Sequence, residues 1–149
     1  MIKRTWLEKG MDHASKLGLE NTEIMKGIVD WNSRNGFEVY RMTSDLFPWA
    51  SEYHLEDLPQ WNQILENLES IGKLAKSSNQ RLTFHPGQFN CLTSPHENVI
   101  VNCIRDLQIH GEIMDAIGLP RTPEALINIH LGGAHGDRIS AAERFCKNF

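Results

Sequence analysis

The sequence predicts an α/β protein, a segment of a barrel in which about three parallel strands are joined by crossover helices. Three observations predict it. Stretches of helical and of strand periodicity alternate strictly, the pattern of strand, crossover helix and parallel strand. Each of the three strand stretches has one apolar and one more polar face, whereas strands covered by helices on both sides are apolar throughout. Those stretches begin near residues 38, 81 and 126, a spacing longer than a minimal unit, with the excess in the segments after each strand.

Taken in order, the first helix is read from Glu20 to Arg34, where Ile24, Ile28, Val29 and Trp31 fall at helical spacing and Asn35-Gly36 closes the segment. The first strand is Phe37–Leu46, with Phe37, Val39 and Tyr40 as strand formers and Pro48 as an outer limit. Asp57 then suits an N-cap, and Leu58, Trp61, Ile64, Leu65, Leu68, Ile71 and Leu74 trace one helical face. Ser77, Ser78 and Asn79 release this helix into a second strand, Arg81–His85. A third helix is read from Ser94-Pro95, with Val99, Ile100, Cys103, Ile104, Leu107, Ile113, Met114 and Ile117 on its buried side and Gly118 as the C′ residue. The third strand is Ala125–Leu131, ended by Gly132-Gly133, after which Asp137 can cap a last helix through Ala141, Phe145 and Phe149. No linker or low-complexity stretch divides the chain, so residues 1–149 read as a single segment.

At 149 residues, 40% of them hydrophobic, the chain can bury one ordinary core. It holds no apolar run of the roughly 20 residues needed to span a bilayer, and MIKRTWLEKG has no apolar stretch behind its basic residues. The expectation is a cytoplasmic or nuclear protein, neither secreted nor in a membrane. Three widely spaced cysteines, Cys91, Cys103 and Cys146, suggest neither a disulfide framework nor a thiolate zinc site. A net charge of −4 argues mildly against a protein that grips nucleic acid by basic residues alone, but not against one that meets phosphates through bound cations.

In parallel α/β architectures the chemistry sits at the carboxyl ends of the strands. Side chains alternate along a strand, so Arg81, Thr83 and His85 face opposite to Leu82 and Phe84, and Asn128 and His130 face opposite to Ile127 and Ile129. Arg41, Thr43 and Asp45 form the polar face of the first strand. His85 and His130 thus close two successive strands on the polar side, each followed by a glycine-containing turn, and are expected at one depth on neighbouring strands. A lone histidine there would simply hydrogen-bond inside a barrel; two at equivalent positions favour ligation of a divalent metal. Gln88 and Phe89 follow the Pro-Gly turn onto the rim, where they can pack on a neighbouring loop or, above a metal site, hydrogen-bond and stack on bases. His54 lies in the loop after the first strand, on the same edge, as does Trp49. Trp31 and Trp61 read as core, His13, His96 and His110 need only solvated or capping roles, and His135 shapes a turn.

Four blocks in series carry a resemblance: YRMTSDLFPWAS at 40–51, HPGQF at 85–89, NCIRDLQIHGEIMDAIGL at 102–119 and INIHLGGAHGD at 127–137. Together they resemble the UV damage endonuclease family, over nearly the whole chain. The resemblance implies a (β/α)8 TIM-type barrel related to endonuclease IV, with a cluster of divalent metals, manganese by preference and zinc or magnesium as alternatives, at its C-terminal mouth. It implies a DNA repair endonuclease that nicks damaged double-stranded DNA 5′ to UV photoproducts. His85 and His130 match metal-ligand histidines, and Gln88 with Phe89 matches the glutamine and aromatic that probe the lesion. His54 resembles a histidine near the site, although SEYHL departs from the usual Ser-His pairing.

A complete barrel of this type needs about 200 to 250 residues, so the chain is expected to be partial, with a first strand before Ile2 and later strands, carrying the carboxylates and the catalytic base, after Phe149. Such a piece is expected to be inactive alone and to expose sheet edges that invite self-association. Two alternatives remain: another metal-dependent TIM barrel of the endonuclease IV or xylose isomerase type, and a non-catalytic barrel fragment that serves as an interaction module.

Overall fold

Met42, Leu82 and Phe84 project from neighbouring strands onto one helical layer, and around that contact the chain is organised. The computed structural model describes residues 1–149. Helix α1 (Lys3–Arg34) leads to strand β1 (Val39–Met42); two single 3₁₀ turns, Ala50–Glu52 and Leu55–Asp57, precede α2 (Trp61–Ser77), strand β2 (Arg81–Phe84), α3 (Glu97–Ile117) and α4 (Arg138–Asn148). No helix is long and apolar enough to cross a membrane.

β1 and β2 pair in parallel, with Val39 opposite Arg81 and Met42 opposite Phe84. On the other side of β2, the Phe84 amide donates to Leu126 O at 3.1 Å and the Asn128 amide donates to Phe84 O at 2.9 Å, which sets Ile127 beside Phe84 in parallel. The spatial order is therefore the chain order, as in a barrel wall. The third strand is shorter than expected: of Ala125–Leu131 only this one pairing forms. Pro123 before it and Gly132-Gly133 after it favour departure from extended structure, and its backbone hydrogen bonds to β2 are all with Phe84. The first strand likewise contracts to four residues.

α1 corrects the sequence reading most. It begins at Lys3 rather than Glu20, is interrupted at Gly10 (φ 58°), and buries Ala14, Ser15, Gly18, Thr22, Met25, Val29 and Asn32. Of the expected face only Val29 is inside; Ile24 is 55% and Trp31 51% exposed. The stripe is small and polar from Ala14 to Thr22 because α1 approaches its neighbours closely there. A Cβ on Gly18 would stand 2.8 Å from Phe47 Cδ1. Across that contact Ser15 Oγ accepts from the Gln60 amide at 3.0 Å, and Asn67 donates to Thr22 Oγ1 at 3.3 Å.

α2 buries Ile64, Leu68, Ile71 and Ala75, as its periodicity required. Asp57 does not cap it: that residue ends a 3₁₀ turn, and Gln60 occupies the cap position without a side-chain bond. α3 starts at Glu97, three residues later than expected, because Ser94 Oγ accepts from the His96 amide and holds a turn there. It ends as predicted on Gly118, in the left-handed region at φ 78°. α2 and α3 cross so closely at Gly72 that an added Cβ would lie 1.8 Å from Ile117 O. α4 is capped by Asp137, whose carboxylate accepts from the Ile139 and Ser140 amides at 3.2 and 2.9 Å.

Candidate functional site

The strands end with their polar faces turned away from the helices. His85 follows Phe84 directly, so its register neighbour is Asn128, and His130 lies two residues farther along. The two histidines are thus not level, but their side chains lean together. Nε2 of His85 and Nε2 of His130 are 2.8 Å apart, with the rings nearly perpendicular at 87°. In neutral rings one nitrogen donates and the other accepts. His85 is half-buried and His130 exposed.

Two imidazole nitrogens directed at one point are a donor pair for a borderline divalent cation. Metal–nitrogen bonds of about 2.1 Å let a single ion span a separation of this size. The pair fits as part of a ligand set and does not complete one: no group of three His, Cys, Asp or Glu side chains gathers anywhere in the chain. Arg41, Thr43 and Asp45, at and just beyond the end of β1, are exposed.

Beyond His85 the loop of Pro86–Cys91 carries Gln88 and Phe89 outward, both exposed, Phe89 to 84%. An aromatic so exposed on an ordered loop offers its faces to a planar partner. The loop is held from beneath. Asn90 is buried and donates through Nδ2 to Asp106 Oδ2 on α3 at 2.7 Å and to Gly87 O at 3.3 Å. One turn along α3, His110 Nδ1 lies 2.7 Å from Asp106 O and 3.6 Å from its Oδ2. Between the loop and α3 opens a pocket of about 580 Å³ lined by Ser44, Asp45, Phe89, Asn90, Asn102 and Asp106 among others.

This support chain was missed in the sequence. His110, expected in a solvated or capping role, is only 2% exposed, meets Phe84 edge-on at 4.8 Å, and leaves Nε2 without a partner. The signal available was the Asp106–His110 spacing of one helical turn, which sets both side chains on one face. His54 falls elsewhere: it is exposed, and lines a separate pocket with Leu55, Trp61, Glu112 and Asp115 on the α2–α3 side. Of the predicted site residues the structure brings His85 and His130 together, sets Gln88 and Phe89 on the adjoining loop, and leaves His54 apart.

The UV-endonuclease UvdE family profile matches residues 2–149. The UV-damage endonuclease of Schizosaccharomyces pombe is 37% identical over 142 residues, 94% of this chain and 23% of that protein. The UV DNA damage endonuclease of Bacillus cereus strain B4264 is 35% identical over 135 residues, 87% of this chain and 40% of that protein. The crystal structure of SacUVDE superimposes with a TM-score of 0.79 at 28% identity, covering 89% of this chain and 44% of that one. The chain therefore spans less than half the length of the relatives it matches, and the α/β strand-and-helix wall is part of a TIM-type barrel. On the match across nearly all of its length, this chain belongs to the UV-endonuclease UvdE family.

Proposed function

We propose that the chain forms part of a DNA repair endonuclease that nicks damaged duplex DNA 5′ to UV photoproducts by metal-dependent phosphodiester hydrolysis. One observation carries the reading: in a chain of this family, two imidazoles converge at the carboxyl ends of adjacent strands, directly beside a loop that presents Gln88 and Phe89. His85 and His130 are the residues that would hold a divalent cation, manganese by preference and zinc or magnesium as alternatives. When bound, such a cation supplies Lewis acidity to the scissile phosphate and lowers the pKa of water.

The chain's own residues do the rest. His85 and His130 would present the lone pairs of their Nε2 atoms to the ion. Phe89 presents a ring that can stack on an unstacked base, and Gln88 presents an amide able both to donate and to accept. Damage that weakens stacking lowers the cost of extruding a nucleotide, so selection for the lesion follows from deformability as well as from contact. Asn90, Asp106 and His110 hold the loop against α3 so that these two side chains meet the duplex in one position. His54 stands apart from this group and serves, in this reading, at the margin of the DNA surface. The activity belongs in the cytoplasm of a bacterium or in a nucleus. The single neighbour of the third strand supports self-association of the chain by itself, or pairing with further strands.

The test is nicking of an irradiated duplex oligonucleotide with manganese, with product ends mapped, alongside isothermal titration with manganese. With two imidazoles and no third ligand gathered near them, this chain is expected to bind manganese weakly, to lose that binding in a His85→Ala, His130→Ala variant, and to cleave weakly or not at all. In a longer chain that supplies further ligands, the same double substitution is expected to abolish cleavage 5′ to the photoproduct. Full cleavage by that doubly substituted longer chain would overturn the assignment.

A further inference from the structure

We infer that Cys91 and Cys103 are a redox-responsive pair, closing under peroxide to an intrachain disulfide that fastens the loop of Gln88 and Phe89 to α3. None of the three cysteines is bonded in the structure. The Cys91 amide donates to Cys103 Sγ at 3.0 Å, and covalent reach from that contact limits the two Cα atoms to a separation of about 7 Å at most, the upper edge of what disulfides span. Both thiols are turned toward the same loop: Cys91 Sγ lies 3.6 Å from Gln88 O, and Cys103 Sγ lies 3.9 Å from Phe89 O. The main-chain carbonyls of the two residues placed on the rim are therefore those that the two thiols face.

The residues differ in a way that orders the chemistry. Cys91 is half-buried and reachable, whereas Cys103 is buried, and burial pushes its thiol pKa up. Cys91 as thiolate attacks one oxygen of hydrogen peroxide; the O–O bond breaks, the departing hydroxide takes a proton to become water, and Cys91 is left as the sulfenic acid. Cys103 sulfur then displaces hydroxide from Cys91 sulfur, its own proton completing a second water. Two thiols are oxidised and one peroxide is reduced to two waters. The S–H groups facing Gln88 O and Phe89 O are consumed together, so the loop exchanges two weak contacts for one covalent tie to α3. In a reducing compartment such a bond is transient and regulatory rather than structural. Its effect on DNA rests on Gln88 and Phe89 being lesion contacts; the cross-link itself does not.

The experiment is peptide mapping of the whole chain after hydrogen peroxide, with unfolding in urea and alkylation before any reductant. Cys91 and Cys103 share the tryptic peptide Leu82–Arg105, and Cys146 lies in another. The expected result is a Leu82–Arg105 peptide lighter by two hydrogens that takes no alkyl group until dithiothreitol is added, with Cys146 still alkylated. In Cys103→Ser, Cys91 is expected to stop at the sulfenic acid and to be trapped by dimedone. In Cys91→Ser, where the packed helix residue is untouched, the loss of two hydrogens is expected to vanish. Peroxide that drives Cys91 to the sulfinic acid while Cys103 takes the alkyl group, or that joins either cysteine to Cys146, would overturn the pair. Binding of irradiated duplex by a longer, cleavage-competent chain supplies a separate readout, expected to fall about tenfold on oxidation and to return with dithiothreitol, as displacement of a positioning loop requires. If the bond forms but the reduced protein never prefers irradiated DNA, the redox pair stands and the nuclease reading fails.

Discussion

The helix-facing side of the strands and the rim at their carboxyl ends are built on opposite terms. On the first, Met42, Leu82 and Phe84 are buried against Ile64, Leu68, Ile71, Ile113 and Ile117, and two helices come close enough that Gly72 admits no side chain. On the second, His130, Gln88 and Phe89 lie in the open, held by a few polar contacts through Asn90 and Asp106. The difference teaches where free energy resides. Burial of apolar area stabilises the fold on one side, while the other keeps polar groups available to something outside the chain.

Substitutions on the two sides should therefore separate stability from binding. The largest effect is expected for Phe84→Ala. It removes a fully buried ring that meets His110 edge-on, at a cost of about 4 kcal/mol, read as a fall in the urea midpoint. Gly72→Ala comes next, since the new methyl must push Ile117 O and with it the α2–α3 crossing; about 3 kcal/mol is expected from overpacking. A Gly72→Ala protein as stable as the parent would show that the helix layer yields and that the contrast is overdrawn. His85→Ala with His130→Ala is expected to do the reverse. Stability should change by under about 1 kcal/mol, His130 being exposed and His85 half-buried, while manganese affinity should fall at least about tenfold if these two are the proposed ligands.

The same contrast explains what could be read from the sequence. α2 was legible because its buried face is apolar at helical spacing, Ile64, Leu68 and Ile71 falling where periodicity put them. α1 was legible only from Glu20 onward, because the earlier part of its buried face is Ala14, Ser15 and Gly18, which suit close approach and hydrogen bonding rather than hydrophobic periodicity. Its exposed Ile24, Ile28 and Trp31 supplied a misleading stripe. At the site, strand alternation and the glycine turns located His85 and His130, and their convergence followed. Their offset along the strands did not, since register depends on the Phe84–Ile127 pairing, which no local pattern announces. Asn90, Asp106 and His110 stayed hidden because their roles arise only when the loop folds back onto α3.

The smallest expected effect tests the far end of the chain, where α4 is joined to the rest by few contacts. Asp137 caps α4, and its hydrogen bonds from the Ser140 hydroxyl and from the Ser140 and Ile139 amides hold its carboxyl pKa below the ordinary value of 3.8. A carboxyl whose pKa is lower in the folded state than in the unfolded one contributes stability above the unfolded value and loses it as pH falls through the folded value. The contribution of the cap should thus be intact at neutral pH and disappear only below about pH 3.8. Hydrogen exchange at the Ile139 and Ser140 amides, corrected for intrinsic rates, is the appropriate readout. In Asp137→Asn the acid-dependent loss of protection should be gone while most of the cap remains, because an asparagine side chain still accepts from those amides. If protection in the parent does not fall at all down to about pH 3, the cap is not what holds α4, and its attachment comes from contacts that do not titrate there: Arg144 Nε, which donates to Thr93 O at 2.7 Å, and Asn148, which donates to Leu92 O at 2.9 Å.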